Sequence, residues 1–305
     1  MPPVWDIDPV LFRLPFGDLA VRYYGIIFSL VFFGGFLLFR WQLARAGADE
    51  LAYDIILPGF IGLVLGARLG HVFFYNFDLF RQNPSWVFRI WEGGLSSHGA
   101  ALGLFGALLF LSKWKKRPLW DLCDRFTFSA ALGAGLIRLG NFFNSEIVGR
   151  VTNSFWAVRF PRYDGTPDDL TPARYPSQLV ECAMGLFILF ALWFCDRALG
   201  REKRPRGALS AFFLLLYFSS RFLVEFIKER QNIADNFILS RGQLLSLPVV
   251  VLALILLFRT LKSTSAKASA EAASVAPQTS STVLVKLKSR PGHKSKTKAA
   301  KKRGR

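Results

Sequence analysis

Two stretches of this chain, Tyr23 to Trp41 and Gly242 to Phe258, carry no acid, and a base stands only at the edge of the first, at Arg40. Such runs approach the ~20 residues needed to cross ~30 Å of hydrocarbon. Reading apolar runs against charge clusters extends the pattern to seven expected spans, at about 23–41, 53–75, 97–112, 122–143, 177–194, 208–227 and 242–258. The chain is 52% apolar with a mean hydropathy of +0.31, and its 15% aromatic content fits interfacial belts. The expected fold is therefore an all-α integral membrane protein, a bundle of about seven transmembrane helices with a small extracytoplasmic cap. Residues 144–176, rich in Pro, Asp and aromatics, form the expected cap within a membrane domain at 23–261. Residues 1–22 read as an extracytoplasmic N-terminal segment. Asp6, Asp8 and Asp18 stand where a secretory leader would be basic, so the first span is expected to be retained.

Basic residues in alternate connections orient the bundle. One set holds Arg40 and Arg45, then Lys113 to Arg117, then Arg197 to Arg206, then the C-terminal tail; the other set is balanced by acids. Positive charge stays on the cytoplasmic side, which puts the N-terminus outside and the C-terminus inside, as an odd number of spans requires. The tail, 262–305, supplies +11 of the +18 net charge and reads as a disordered basic extension. A chain this basic and this apolar points to anionic membrane as its partner and to no specific nucleic acid. Cys123, Cys182 and Cys195 lack paired spacing and read as helix-packing residues. His71, His98 and His293 lack ligand-like clustering, so neither a metal nor another cofactor is expected.

An ionisable group in hydrocarbon costs at least ~2.5–3.5 kcal/mol and usually faces the bundle interior with a task to perform. Arg68 falls roughly 6 Å, and Arg138 roughly 9 Å, beyond the centres of two outward-running spans at 1.5 Å per residue. Arg221 lies similarly in a third, with Glu225 one turn further on. The inward-running spans carry their polar residues at their beginnings: Tyr24, His98, and Gln178 with Glu181. Three arginines at one depth from three helices point to a site for an anionic headgroup in the outer half of the membrane, since the planar guanidinium fork binds phosphate bidentately. Snorkelling, or pairing with a nearby acid such as Glu225 for Arg221, is the alternative for Arg68 and Arg221. Asp124, alone at the cytoplasmic end, reads as structural.

The most specific cluster begins at Gly135 and runs through Arg138, Gly140, Asn141, Asn144 and Glu146 to Gly149. Arg138 and Asn141 are three apart and share a helix face. This stretch resembles the GRxGNFxNxExxG signature of the prolipoprotein diacylglyceryl transferases, departing only at the first glycine, near which Leu136 and Ile137 stand. Arg22-Tyr23-Tyr24-Gly25 is similar to the family's first-helix tyrosine motif, and Gly66 to Gly70 to its GARLG segment. Trp91 to Gly99 resembles WxGGMSxHG, Tyr175 to Glu181 resembles HPSQLYE, and Tyr217 to Phe226 resembles YxxxRFxxEF. His71, Ala100 and Val180 depart from these patterns without removing a residue to which chemistry is assigned.

The resemblance implies transfer of the diacylglyceryl group from phosphatidylglycerol to the lipobox cysteine in a prolipoprotein signal peptide, at the bacterial inner membrane. On this reading Arg138 and Arg221 stabilise the leaving phosphate, and Asn141 and Asn144 donate hydrogen bonds to it. His98 either takes the thiol proton or positions the headgroup. Glu146 and Glu225 orient the arginines, Tyr24 and Tyr217 either contact lipid oxygens or sit in the aromatic belt, and Arg68, Gly99 and Gly149 complete the binding surface. A transporter or flippase for an anionic lipid is the alternative; it would favour an internal repeat, and the sequence has no convincing one.

Overall fold

A computed structural model describes residues 2–15, 19–229 and 239–275. Ten α-helices follow one another among these residues: α1 (Tyr23–Ala44), α2 (Leu51–Asp54), α3 (Ile56–Tyr75), α4 (Phe77–Gln82), α5 (Ser97–Trp114), α6 (Leu119–Phe143), α7 (Pro161–Asp164), α8 (Ser177–Ala198), α9 (Ala208–Val224) and α10 (Arg241–Val275). Each expected span falls on one of the seven longest. Five segments are long and apolar enough to cross a membrane by themselves: Tyr23–Ala44, Leu51–Tyr75, Leu119–Phe143, Ser177–Ala198 and Gly242–Lys262. The other two are α5, whose ends carry His98 and Lys113, and α9, which has 17 residues. Phe33, Leu57, Phe74 and Phe187 lie on the outer surface at 60% exposure or more. Water would oppose such a surface and hydrocarbon accepts it, as expected of an all-α integral membrane protein.

Two two-stranded pieces sit outside the helices. Strands β1 (Val10–Arg13) and β2 (Ala20–Arg22) form an antiparallel hairpin before α1, and β3 (Val158–Arg159) pairs with β4 (Ala173–Arg174) within the cap. The N-terminal segment joins the cap directly. Trp5 N–H donates to the Arg159 carbonyl, and its indole Nε1 donates to the Phe142 carbonyl at 2.9 Å. Residues to Lys262 form one compact unit and those from Ser263 a second. The backbone of 263–275 is helical where disorder was expected; five of its thirteen residues are alanine, the strongest helix former. The rest of the expected tail, 276–305, lies outside the described residues.

Glycines decide how the helices pair. On α3, Gly62, Gly66 and Gly70 recur every four residues and face Gly99 and Gly103 of α5. A Cβ on Gly103 would lie 1.8 Å from the Gly62 carbonyl oxygen, and one on Gly99 would lie 2.1 Å from that of Gly66. Small residues at this spacing let helix backbones touch, which in lipid replaces the missing hydrophobic drive. Gly99, expected on the binding surface, is instead part of this seam: its Cα faces a neighbouring backbone and leaves no room for a ligand.

The remaining bundle packs α1 on α6, α6 on α8, and α8 and α6 on α9. Far from the cap, its ends are joined by buried charge. Asp124 accepts from Gly207 N (2.7 Å), Ser210 N (2.8 Å) and Ser210 Oγ (2.7 Å), capping α9 from another helix. Asp196 holds Arg45 at 2.5 Å and Arg204 at 2.9 Å, and Glu202 holds Arg125 at 2.6 Å. The structural reading of Asp124 thus acquires a stated task.

Gly103→Ala should lower the thermal unfolding midpoint of the detergent-solubilised protein, overpacking the seam at a cost of about 1–3 kcal/mol. Gly106→Ala, whose Cβ would meet nothing within 4 Å, should be neutral or stabilising by ~0.5–1 kcal/mol from helix propensity. A fluorescence-monitored melt of both variants decides.

Candidate active site

Helices α6 and α8 approach most closely where Gly135 meets Gly185. A Cβ on Gly185 would stand 2.5 Å from Gly135 N and 2.6 Å from its Cα. About one turn toward the cap from each glycine come Arg138 on α6 and Glu181 on α8. With the backbones this close, Arg138 Nε lies 2.6 Å from Glu181 Oε2. Two further cations converge on the same carboxylate. Lys228 Nζ lies 3.2 Å from Oε1, and Arg221 Nη1 on α9 lies 3.8 Å from Oε2. Arg221 Nη2 also stands 3.9 Å from Glu225 Oε2, the i,i+4 pair expected from the sequence.

Three cations thus share two carboxylates. Glu181 engages Arg138 through Nε and the ion pairs of Arg221 are long, so among the described residues the terminal nitrogens of both guanidiniums have no close partner and remain available to an oxyanion. Burial pushes the Lys228 ammonium below the usual lysine value, with Arg221 and Arg138 acting in the same direction and Glu181 opposing them. Arg138, Glu181, Tyr217, Ser220 and Arg221 line an open, shallow cleft, whose remaining wall includes Met184, Ile188 and Val224. A polar end joined to an apolar wall matches a lipid headgroup and the start of its chains.

The α6 signature continues into a strained turn. Ser145 (φ 53°) and Ile147 (φ 57°) are both left-handed on either side of Glu146. For a β-branched residue this is an outlier, and each such conformation costs of order 1–3 kcal/mol. Helix α8 holds the turn: Ser177 Oγ donates to the Ile147 carbonyl (3.0 Å) and Gln178 Nε2 to the Glu146 carbonyl (2.8 Å). The Glu146 side chain accepts from Asn141 Nδ2 and from Asn144 Nδ2, each at 3.2 Å. Tyr24 lies across α6, where a Cβ on Gly140 would sit 2.8 Å from its ring. Tyr24 and Asn144 line a second, wider cleft of about 840 Å³ beside Arg22 and Ser29.

The structure therefore brings together Arg138, Arg221, Tyr217 and Glu225, with Asn141, Asn144, Glu146 and Tyr24 close by along α6. Other assignments change. Glu146 meets the two asparagines and, among the described residues, makes no ion pair with an arginine; Glu181 pairs with Arg138 instead. The asparagines turn N–H toward Glu146, whereas the sequence reading pointed it at phosphate. Arg68 is 2% exposed and donates to the carbonyls of Trp86 (2.6 Å), Val87 (2.9 Å), Gly93 (2.6 Å) and Gly94 (3.4 Å), with its guanidinium 4.2 Å from the Trp86 ring centroid. It clasps the 86–94 segment and is not in the cluster, because those carbonyls are the nearest acceptors to a charge buried on α3.

Gly149 is a junction. Its N–H donates to the Tyr175 carbonyl, Arg150 N–H donates to Ile227, and a Cβ at 149 would stand 2.5 Å from the Tyr175 oxygen. The glycine lets three chain segments meet and has no space beside it for substrate. His98 is exposed on the first turn of α5, and its imidazole makes no hydrogen bond to a described residue. The sequence reading missed Lys228 and gave no role to Glu181 or Gln178. Glu181 was detectable, since it too is an acid inside an apolar span, whereas Lys228 sits just past a span and looks like an ordinary interfacial lysine.

Comparison with known proteins bears on the same residues. A family model described as prolipoprotein diacylglyceryl transferase matches residues 9–259. Curated proteins named phosphatidylglycerol–prolipoprotein diacylglyceryl transferase are similar over most of their length. The chain is 39% identical to one from Vibrio cholerae over 260 residues, covering 83% of this chain and 91% of that protein. It is 39% identical to one from Chloroherpeton thalassium over 266 residues, covering 85% and 94%, and 37% identical to one from Mannheimia succiniciproducens over 259 residues, covering 81% and 90%.

Glu181→Ala leaves the buried Lys228 and the half-buried Arg138 without their shared counter-charge. Removing one partner of such a pair costs about 3–5 kcal/mol, so the variant's melting midpoint should fall well below that of Glu146→Ala, whose partners are neutral amides. Parallel thermal melts of the two variants check the ranking.

Proposed function

Because the chain belongs to the prolipoprotein diacylglyceryl transferase family, we propose that it transfers the diacylglyceryl group of phosphatidylglycerol to the lipobox cysteine thiol of a prolipoprotein, releasing glycerol phosphate. The reaction takes place in the bacterial inner membrane, with the N-terminus and the 144–176 cap outside and the C-terminus inside. The observation that carries the reading is the pair of guanidiniums on one cleft from separate membrane helices, Arg138 engaged only through Nε and Arg221 only by ion pairs of 3.8 and 3.9 Å. The names of the curated relatives favour a transferase over the transporter alternative.

The thiol loses its proton, the sulfur attacks the lipid glycerol carbon, a C–S bond forms, and the C–O bond to phosphate breaks. The phosphate leaves with the bonding pair and so gains negative charge. Arg138 and Arg221 receive that charge in a low-dielectric site, where fixed donors need no reorganisation. Glu181 keeps Arg138 in place through Nε and leaves its two terminal nitrogens for the phosphate oxygens. A thiol of reference pKa near 8.5 needs help to ionise at neutral pH. The exposed imidazole of His98 is the group free to take the proton, and the cationic cluster favours the thiolate.

Purified protein in phosphatidylglycerol vesicles should convert a lipobox peptide to a thioether product heavier by one diacylglyceryl group. Arg138→Ala should lower kcat by about 10²–10³-fold, the cost of removing one preorganised donor, and Arg138→Lys should not restore it, because an ammonium lacks the fork. No mass gain on the wild-type peptide would sink the transferase reading. His98→Gln should lose rate most near neutral pH and recover as alkali ionises the thiol; a pH-independent loss would remove the base role.

A further inference from the structure

Residues 148–152 form the middle of a small sheet that carries Lys228 at one edge. On the other edge, Thr152 N–H donates to Ala173 (2.8 Å) and Gly149 N–H to Tyr175 (2.9 Å). On the Lys228 edge, Arg150 N–H donates to Ile227 (2.9 Å) and Glu229 N–H to Val148 (3.4 Å). Gly149 is thereby bridged antiparallel to Lys228, and Val151 to Arg174. Successive side chains of an extended segment point to opposite faces, and Lys228 and Glu229 divide accordingly. Lys228 turns to the cation cluster, with Nζ 3.2 Å from Glu181 Oε1. Glu229 turns to the cap, where it accepts from Tyr163 Oη and from Arg174 Nη1, the latter at 3.1 Å. Arg174 is buried and reaches across the sheet. From its own edge it donates to the Gly149 carbonyl (3.3 Å) and to Glu229 beyond it, while Nε and Nη2 hold Asp164 at 3.0 and 2.6 Å.

Lys228 bears on the cleft through Glu181. The Oε2 atom of that carboxylate lies 2.6 Å from Arg138 Nε and 3.8 Å from Arg221 Nη1, while Lys228 stands at Oε1. A buried carboxylate that loses a cation draws in another, because uncompensated charge there is costly. Arg221 is the nearest cation not already in close contact with Glu181, and closing that gap would withdraw its guanidinium from the cleft. Resting on the reading that Arg221 receives the leaving phosphate, we propose that Glu229, gripped by Arg174 and Tyr163, is a positioning residue for the site. Fixed on the cap face of the sheet, it keeps Lys228 on Glu181 and so leaves Arg221 for the substrate. The cap thus shapes the reaction without touching lipid or thiol.

The test uses the full chain in phosphatidylglycerol vesicles with a lipobox peptide. It reads thioether product together with acylation of Lys228 by an amine reagent, mapped by mass spectrometry. Glu229→Ala releases the end of α9 while Arg174 keeps Asp164, so the cap retains its own ion pair. In this variant kcat/KM should fall about 10- to 100-fold, the cost of displacing a positioned group. Lys228 should be protected in wild type and modified in Glu229→Ala. Lys228→Met should lose rate to a similar extent, and adding Glu229→Ala to it should cost nothing more, because both act through one group. Wild-type rate in Glu229→Ala, losses that multiply in the double variant, or equal protection of Lys228 in both proteins overturns the inference and leaves the transferase reading intact. Should Glu229→Ala fail to fold, Glu229→Gln, which drops the charge and keeps an acceptor, takes its place in the same cycle. A wild type that yields no product overturns both readings.

Discussion

The candidate site depends on how closely two helices meet at Gly135 and Gly185. A carboxylate and a guanidinium stand 2.6 Å apart in a membrane-crossing bundle where the backbones one turn away are nearer than ordinary side chains allow. The glycines, about one turn away on each helix, provide that approach. Once Arg138 and Glu181 are joined, Lys228 and Arg221 have a buried negative charge to gather around, and the cost of holding cations in a low-dielectric region is shared. Charge placement here is a consequence of packing.

The two ends of the bundle treat charge differently. Far from the cap, Asp124, Asp196 and Glu202 are each in contact with arginines or backbone donors. At the cap end the ion pairs to Arg221 are long, and both guanidinium forks stay open. The bracket at Gly149, Tyr175 and Ile227 ties together the chain leaving α6, entering α8 and leaving α9. The cluster is thus held by a seam of glycines on one side and by main-chain hydrogen bonds on the other.

Much of this was legible in the residues. Apolar runs located all seven long helices, because hydrocarbon permits few alternatives to a helix. The rarity of intramembrane charge singled out Arg138 and Arg221. The same reasoning misplaced Arg68, since depth alone does not tell whether a guanidinium faces a cleft or a ring of carbonyls. Gly99 and Gly149 were assigned to substrate because a motif marks that a glycine matters, not what it must approach. The four-residue spacing of Gly62, Gly66 and Gly70 against Gly99 and Gly103 would have identified the α3·α5 seam. Lys228 was invisible for a different reason: its partner Glu181 lies 47 positions earlier, and nothing local announces the pairing.

The ratio of cations to carboxylates has one more implication. Arg138, Arg221 and Lys228 against Glu181 and Glu225 leave a single surplus positive charge. A phosphodiester carries one negative charge and brings the neighbourhood to neutrality. A phosphomonoester, whose second ionisation lies near pH 6, approaches two negative charges and oversteps it. The guanidiniums that stabilise the charge gained on scission therefore also hold the fragment left behind, so ester cleavage and clearance of the site make opposite demands on the same two arginines.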